Sequence, residues 1–188
     1  RIDRNRAANP LTGLSGNLEI QAEITSRIEK GVQFAVIYLD LDNFKAFNDV
    51  YGFGKGDIAI KMTADIMRDA TQDEGTIDDF LGHIGGDDFI IITDPQHVDG
   101  ICAEIISRFD ERITTLYSPG DIETGYISTL SRRGEQREYP IMTISLAVVT
   151  NELRVLHTHL EVSEIAAELK KKVKSLQGSN YFKDARKQ

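Results

Sequence analysis

The feature that most constrains this 188-residue chain is a pair of adjacent glycines between two strand-like runs. Residues 80–84 and 89–92 are rich in apolar and β-branched side chains, which is typical of strands. Gly85 and Gly86 separate them and can adopt the positive φ angles that a tight turn requires. The segment therefore predicts an antiparallel hairpin with two carboxylates, Asp87 and Asp88, at its tip.

The rest of the chain alternates helical and strand patterns, without a repeat or a linker-like stretch, and so predicts a single domain. Helices are predicted over residues 18–30, 43–51, 57–70, 98–116 and 162–176, with Asn43 as a possible cap of the second and Gly178 as the C-cap of the last. Further strands are predicted at 33–41, 123–130 and 139–149, the last two joined by a turn at 131–135. We expect an α+β fold in which helices cover a mostly antiparallel sheet.

The charge balance limits the partners that this chain can bind. The sequence has 22 basic and 30 acidic residues, for a net charge of −8. An acidic excess argues against binding of a nucleic acid polymer, which needs clustered Lys and Arg, but not against one nucleotide accompanied by a metal ion. The single cysteine excludes an intramolecular disulfide framework and favours a reducing cytoplasm. We see no membrane-spanning stretch or signal peptide, and the absent initiating Met indicates a fragment of a longer protein.

A second pair of carboxylates, Asp40 and Asp42, lies where a buried strand gives way to a helix. Alternation along an extended chain points both to one side of the strand and Leu41 to the other. If this strand neighbours the hairpin, Asp40 and a hairpin carboxylate converge on a divalent cation such as Mg²⁺. The alternative is that these Asp and Asn residues are only helix caps and turn formers.

Four motifs in order resemble the GGDEF family of diguanylate cyclases, which condense two GTP molecules into cyclic di-GMP. They are the opening Asn-Pro-Leu-Thr-Gly-Leu at 9–14, Asp-Leu-Asp-Asn-Phe-Lys-Ala-Phe-Asn-Asp at 40–49, Tyr-Gly-Phe-Gly-Lys-Gly-Asp at 51–57 and Gly-Gly-Asp-Asp-Phe at 85–89. The resemblance covers nearly the whole chain. It implies one domain over residues 1–188, with 1–15 as an opening segment, in a nucleotidyl-cyclase-like fold of a bacterial signalling protein.

The resemblance also implies a metal site. Asp40, Asp87 and the carbonyl of Leu41 are expected to bind Mg²⁺ (or Mn²⁺). Asp88 occupies the other essential carboxylate position, as a further metal ligand or as the acceptor of the proton of the attacking 3′-hydroxyl. Metal ions held in this way neutralise the charge of the leaving pyrophosphate.

Further positions are implied to bind GTP. Asn48 and Asp57 resemble the pair that reads the guanine edge, and Phe53 belongs to the turn that precedes Asp57. Lys45 is expected to contact phosphate, as are the backbone amides of 42–44, which include that of Phe44. Lys174 resembles a displaced family lysine, whereas the rest of the Lys170–Lys172 run is interpreted as a solvated face. Catalysis implies a homodimer of domains, arranged by an unknown sensory or regulatory module outside this chain.

Several departures from the family pattern leave a second interpretation open. Asp88 replaces a Glu, His83 and Ser179 replace basic residues, and Phe53 replaces a His. The alternative function is therefore a degenerate GGDEF domain that binds GTP or protein partners as a non-catalytic regulatory module. The inhibitory product site has Thr76 in place of its Arg, although an Asp79 remains, so no feedback inhibition by cyclic di-GMP is expected there.

Overall fold

The computed structural model describes residues 8–187. The helices are α1 (Asn17–Glu29), α2 (Phe44–Tyr51), α3 (Phe53–Glu74), α4 (Val98–Ile113), α5 (Pro119–Thr124) and α6 (His159–Lys174). The strands are β1 (Ala35–Asp42), β2 (Phe80–Gly85), β3 (Asp88–Thr93), β4 (Tyr126–Leu130), β5 (Gln136–Pro140), β6 (Thr143–Thr150) and β7 (Asn180–Lys183).

One five-stranded sheet forms the centre of the fold, in the order β2-β3-β1-β6-β7. Its first three pairings are antiparallel, and β6 pairs with β7 in parallel. Strands β4 and β5 form a separate two-stranded ribbon. These observations confirm the predicted α+β class and the mostly antiparallel sheet.

The two faces of β1 belong to different apolar cores. Ile37 and Leu39 pack with residues of α2, α3 and α4, whereas Val36 and Tyr38 pack with residues of α1 and α6. Since side chains alternate along a strand, Asp40 falls on the face that α6 covers. The same alternation in β3 places Asp88 on this face, because Ile90 also belongs to the core of α1 and α6.

The glycine hairpin is present as predicted. Strand β2 pairs antiparallel with β3, and the turn lies at Gly86 and Asp87. Gly86 has a φ of 52°, in the left-handed region that favours glycine. Asn43 occupies the N-cap position of α2, as predicted, but it has a positive φ and its side chain makes no capping hydrogen bond.

The predicted break at residues 52–56 was wrong in extent. Only Gly52 separates α2 from α3, and α3 starts at Phe53, four residues earlier than expected. Gly56 lies inside the first turns of α3, at the place where α2 packs closely against this helix. A Cβ at Gly56 would lie 1.9 Å from Oδ1 of Asn48, so the glycine is required by packing and does not end the helix.

The C-terminal half contains four further corrections. The turn at 131–135 joins β4 to β5, so the predicted strand 139–149 is split between β5 and β6, and the start of the predicted strand 123–130 belongs to α5. Helix α6 ends at Lys174 with Ser175 as its C-cap, and Gly178 instead lies with positive φ in the connection to β7. Strand β7 had not been predicted.

Candidate active site

Three carboxylates converge at one end of the central sheet. Asp40 of β1 lies opposite Asp88 of β3 in the antiparallel register, and the amide of Leu41 donates a 3.3 Å hydrogen bond to the carbonyl of Asp87. One carboxylate oxygen from each of Asp40, Asp87 and Asp88 lies within 4.8 Å of the other two. The predicted convergence of β1 and the hairpin is therefore present.

Two carboxylates of the cluster, those of Asp87 and Asp88, have raised pKa values, with burial as the largest cause. Burial, followed by the negative charges of Asp40 and Asp88, raises the pKa of Asp87 to about 6. Burial also raises the pKa of Asp88 above its usual range, against the opposing attraction of Lys170. Ionised side chains of this cluster repel one another, so a cation between them would be favourable.

Two lysines of α6 face this cluster. The ammonium of Lys174 lies 2.9 Å from Asp40 and 3.2 Å from Asp42, and that of Lys170 lies 3.5 Å from Asp88. Residues four apart share one face of a helix, which explains why both reach the same end of the sheet. Burial opposes the charge on Lys174, but its contacts with Asp40 and Asp42 raise its pKa above the usual value.

The interpretation of Lys170 as part of a solvated face was wrong. Its side chain is 26% exposed, and its ammonium lies over the ring of Tyr38, 5.6 Å from the ring centre. The sequence held a usable signal, namely the four-residue spacing from Lys174. Nothing in the sequence, however, showed which helix covers the carboxylates.

Asp42 points to the same side as Asp40, as predicted, but it is anchored to β6. Its carboxylate accepts hydrogen bonds from Thr143 at 2.7 Å and from Ser145 at 2.8 and 2.9 Å. Leu41 faces the opposite core and is buried there. The role of its carbonyl as a metal ligand stays a prediction.

The donor set of the cluster fits a hard divalent cation. Asp40, Asp87 and Asp88 offer oxygen atoms alone, which are the ligands that Mg²⁺ and Mn²⁺ prefer. All three side chains are partly exposed, so a metal ion and its bound water have access. These residues could thus hold a divalent cation.

The residues predicted to read guanine surround the junction of α2 and α3. Oδ1 of Asn48 is buried and has no hydrogen-bond partner within residues 8–187. Asp57 is exposed on α3, and Phe53 is 77% exposed at the start of the same helix. A buried acceptor without a partner is costly, so Asn48 is the member of this group that most needs a ligand or a water molecule.

The predicted phosphate contacts on α2 divide between two environments. Phe44 begins α2 and packs partly against the core. Lys45 is exposed and lines a groove that Arg132 and Arg137 of the β4–β5 ribbon also line. Asp42, Asn43 and Lys174 line a different groove, so Lys45 and Lys174 do not share one pocket.

Two positions that depart from the family pattern have structural roles. His83 is 3% exposed, stacks on Phe89, and makes ring hydrogen bonds with the hydroxyl of Thr12 at 3.2 Å and the carbonyl of Gly86 at 2.8 Å. The hydroxyl of Ser179 accepts from the amide of Ile144 at 3.0 Å and donates to Asp110. Neither side chain points freely into the carboxylate cluster.

The family model described as "Diguanylate cyclase, GGDEF domain" matches residues 7–138. The chain therefore belongs to the GGDEF domain family, which confirms the resemblance in the sequence. Several curated relatives of the chain are named as diguanylate cyclases.

Individual relatives agree with this family. A probable diguanylate cyclase, DgcJ of Escherichia coli, is 29% identical over 119 residues, which are 60% of this chain and 22% of DgcJ. A diguanylate cyclase of Vibrio cholerae is 35% identical over 78 residues, which are 40% of this chain and 23% of that protein. The chain thus spans less than a quarter of the length of either relative.

Solved structures confirm the fold. The coiled-coil and GGDEF domain of DgcB from Caulobacter crescentus, in complex with c-di-GMP, matches with a TM-score of 0.73 at 20% identity, over 97% of this chain and 88% of that chain. The GGDEF domain of PA1120 from Pseudomonas aeruginosa matches with a TM-score of 0.68 at 17% identity, over 96% and 95% of the two chains. Within residues 8–187, no helix has the length and apolar character needed to cross a membrane.

Proposed function

We propose that this domain is a diguanylate cyclase that condenses two GTP molecules into cyclic di-GMP and releases pyrophosphate. The observation that carries the proposal is the convergence of Asp40, Asp87 and Asp88 at the GGDEF hairpin. The site has oxygen ligands for Mg²⁺ or Mn²⁺, which would neutralise the triphosphate and activate the 3′-hydroxyl. Two copies of the domain must meet face to face, because each holds one GTP and the product contains two.

The residues of the carboxylate cluster have separate roles in this proposal. Asp40 and Asp87, with the carbonyl of Leu41, hold the metal. Asp88 accepts the proton of the attacking 3′-hydroxyl or completes the metal site. Asp88 lies opposite Asp40 in the paired strands, so either role keeps its carboxylate beside the metal.

The remaining residues would position the nucleotide. Asn48 and Asp57 read the guanine edge, and they lie on α2 and α3 on either side of the junction between these helices. Phe53 offers an exposed ring beside them. Lys45, the amide of Phe44 and Lys174 contact phosphates, for which Lys174 must first leave Asp40 and Asp42.

A second candidate function is a non-catalytic module that binds GTP or a protein partner. The contacts of Lys170 and Lys174 favour it, because ammonium groups already neutralise part of the carboxylate charge. The short side chain of Asp88 also favours it, since a displacement of about 1 Å can cost about 100-fold in rate. A domain of this kind would bind nucleotide without forming product.

The test is product formation from GTP and Mg²⁺ at high protein concentration, followed by chromatography and mass spectrometry. We expect a cyclic dinucleotide, and we expect Asp40→Asn to lower its rate of formation about 100-fold or more, because one metal carboxylate is lost. The matched control is Asp73→Asn, which removes the same charge from the exposed surface of α3. GTP binding without any product would contradict the cyclase and support the regulatory module.

A further inference from the structure

Lys170 forms an ion pair with Asp88, which is one of the proposed metal ligands. Its ammonium lies 3.5 Å from Oδ1 of Asp88, and Lys174 occupies Asp40 and Asp42 in the same way. A divalent cation bound to Asp88 would compete with the ammonium for the same carboxylate. Lys170 is therefore placed to influence how tightly this site binds metal.

The charges at this end of the sheet show why such competition matters. Four carboxylates (those of Asp40, Asp42, Asp87 and Asp88) face two ammonium groups, which leaves two negative charges. One divalent cation balances them, and any further cation needs additional negative charge from a ligand. A nucleoside triphosphate supplies that charge, and it also offers the lysines a new anionic partner.

We propose that Lys170 is a built-in counter-ion that couples metal binding to triphosphate binding. Without nucleotide it stays on Asp88 and weakens the affinity of the site for a divalent cation. When a nucleotide is bound, the ammonium neutralises phosphate charge instead and Asp88 becomes available to metal. The proposal rests on the metal and triphosphate sites of the proposed function, and it adds a positioning residue on α6.

Lys170 suits this role better than its neighbours do. Within residues 8–187 its one ionic contact, to Asp88, is longer than either contact of Lys174, so the ammonium can leave its carboxylate more easily. Lys174 is divided between two carboxylates, one of which is also fixed to β6. Lys171 is exposed, and no ion pair to it is found within residues 8–187.

The test measures Mn²⁺ binding by electron paramagnetic resonance, with and without 3′-deoxy-GTP, which lacks the attacking hydroxyl. Lys170→Met keeps an unbranched side chain of similar length and removes the charge. We expect it to bind Mn²⁺ about threefold to tenfold more tightly than wild type without nucleotide, because a competing cation is gone. The gain in Mn²⁺ affinity on adding 3′-deoxy-GTP should shrink by a similar factor.

The control is Lys171→Met, which changes the net charge equally and leaves the Asp88 contact intact. An effect of the same size in both variants, or unchanged or weaker Mn²⁺ binding by Lys170→Met, would overturn the role of Lys170. An unfolding curve for each variant confirms that the compared proteins are folded. Absence of Mn²⁺ binding by wild type, with or without nucleotide, would instead overturn the metal site and the proposed function together.

Discussion

The carboxylate cluster and the turn at Asp79 are two acidic regions that the family pattern marks as functional, and they differ in how their charges are satisfied. In the cluster, Asp40, Asp87 and Asp88 lie close enough to repel one another. Asp79, in contrast, accepts hydrogen bonds from the amide and the hydroxyl of Thr76 at 3.0 and 3.1 Å.

The contacts of Asp79 within the turn give this residue a structural role that requires no bound ligand. A Cβ at Gly75 would lie 1.9 Å from Oδ2 of Asp79, so the carboxylate packs directly over the glycine and closes the turn before β2. The guanidinium that the inhibitory site needs is replaced by Thr76. The comparison teaches that an acidic residue retained from a motif can be structural, and that several carboxylates held close to one another are a better indication of a binding site.

The strongest test of the comparison is the effect of metal on stability. We expect Mg²⁺ or Mn²⁺ at 100 times its Kd to raise the free energy of unfolding by about 2.7 kcal/mol, because only the folded domain brings the three carboxylates together. Thermal unfolding in excess metal and in chelator measures the shift. The double variant Asp40→Asn/Asp87→Asn serves as the control, and a shift that survives in it would place the metal elsewhere.

A smaller change in the free energy of unfolding, this time a decrease, is expected for a substitution at the turn that contains Asp79. Asp79→Ala removes the acceptor of two hydrogen bonds from Thr76 and should lower the free energy of unfolding by about 1.5 kcal/mol, measured by urea denaturation. Calorimetry on wild type should show no tight cyclic di-GMP complex that depends on this residue. Tight binding that Asp79→Ala abolishes would contradict the structural role.

The smallest change in the free energy of unfolding is expected for Asp87→Asn, measured with a chelator present so that no metal is bound. The raised pKa of Asp87 means that the folded state binds a proton more tightly than the unfolded state, so stability falls as pH rises from about 4 to about 6. Removing the charge should therefore stabilise the domain by about 1 kcal/mol at pH 7, since partial exposure screens the repulsion. The gain should vanish near pH 4, and a gain that is independent of pH would show a cause other than ionisation.

The parts of the fold that follow from local patterns were predictable. The hairpin at Gly85–Gly86 and the buried strand before Asp40 depend on backbone conformation and alternation, which neighbouring residues determine. The early start of α3 was not predictable, because Gly56 is required by its contact with Asn48 of another helix. The separate β4–β5 ribbon likewise depends on pairing and not on the composition of either strand.

In the candidate site, too, some features follow from local sequence patterns and others depend on contacts between distant segments. The acidic residues of the cluster could be predicted from the position of Asp40 at the end of a strand and of Asp87 and Asp88 at the tip of a hairpin. His83 and Ser179 could be recognised as departures, but their hydrogen bonds to Thr12 and Ile144 join segments far apart in the chain. No local pattern indicates such partners.

The sequence by itself determined the family, the strand that carries Asp40 and the hairpin that carries the other two carboxylates, because these depend on motifs and on the alternation of side chains. Only the tertiary structure decided which helix faces them. Since α6 packs on the face of the sheet that contains Asp40 and Asp88, Lys170 and Lys174 become part of the site while Lys171 stays in solvent.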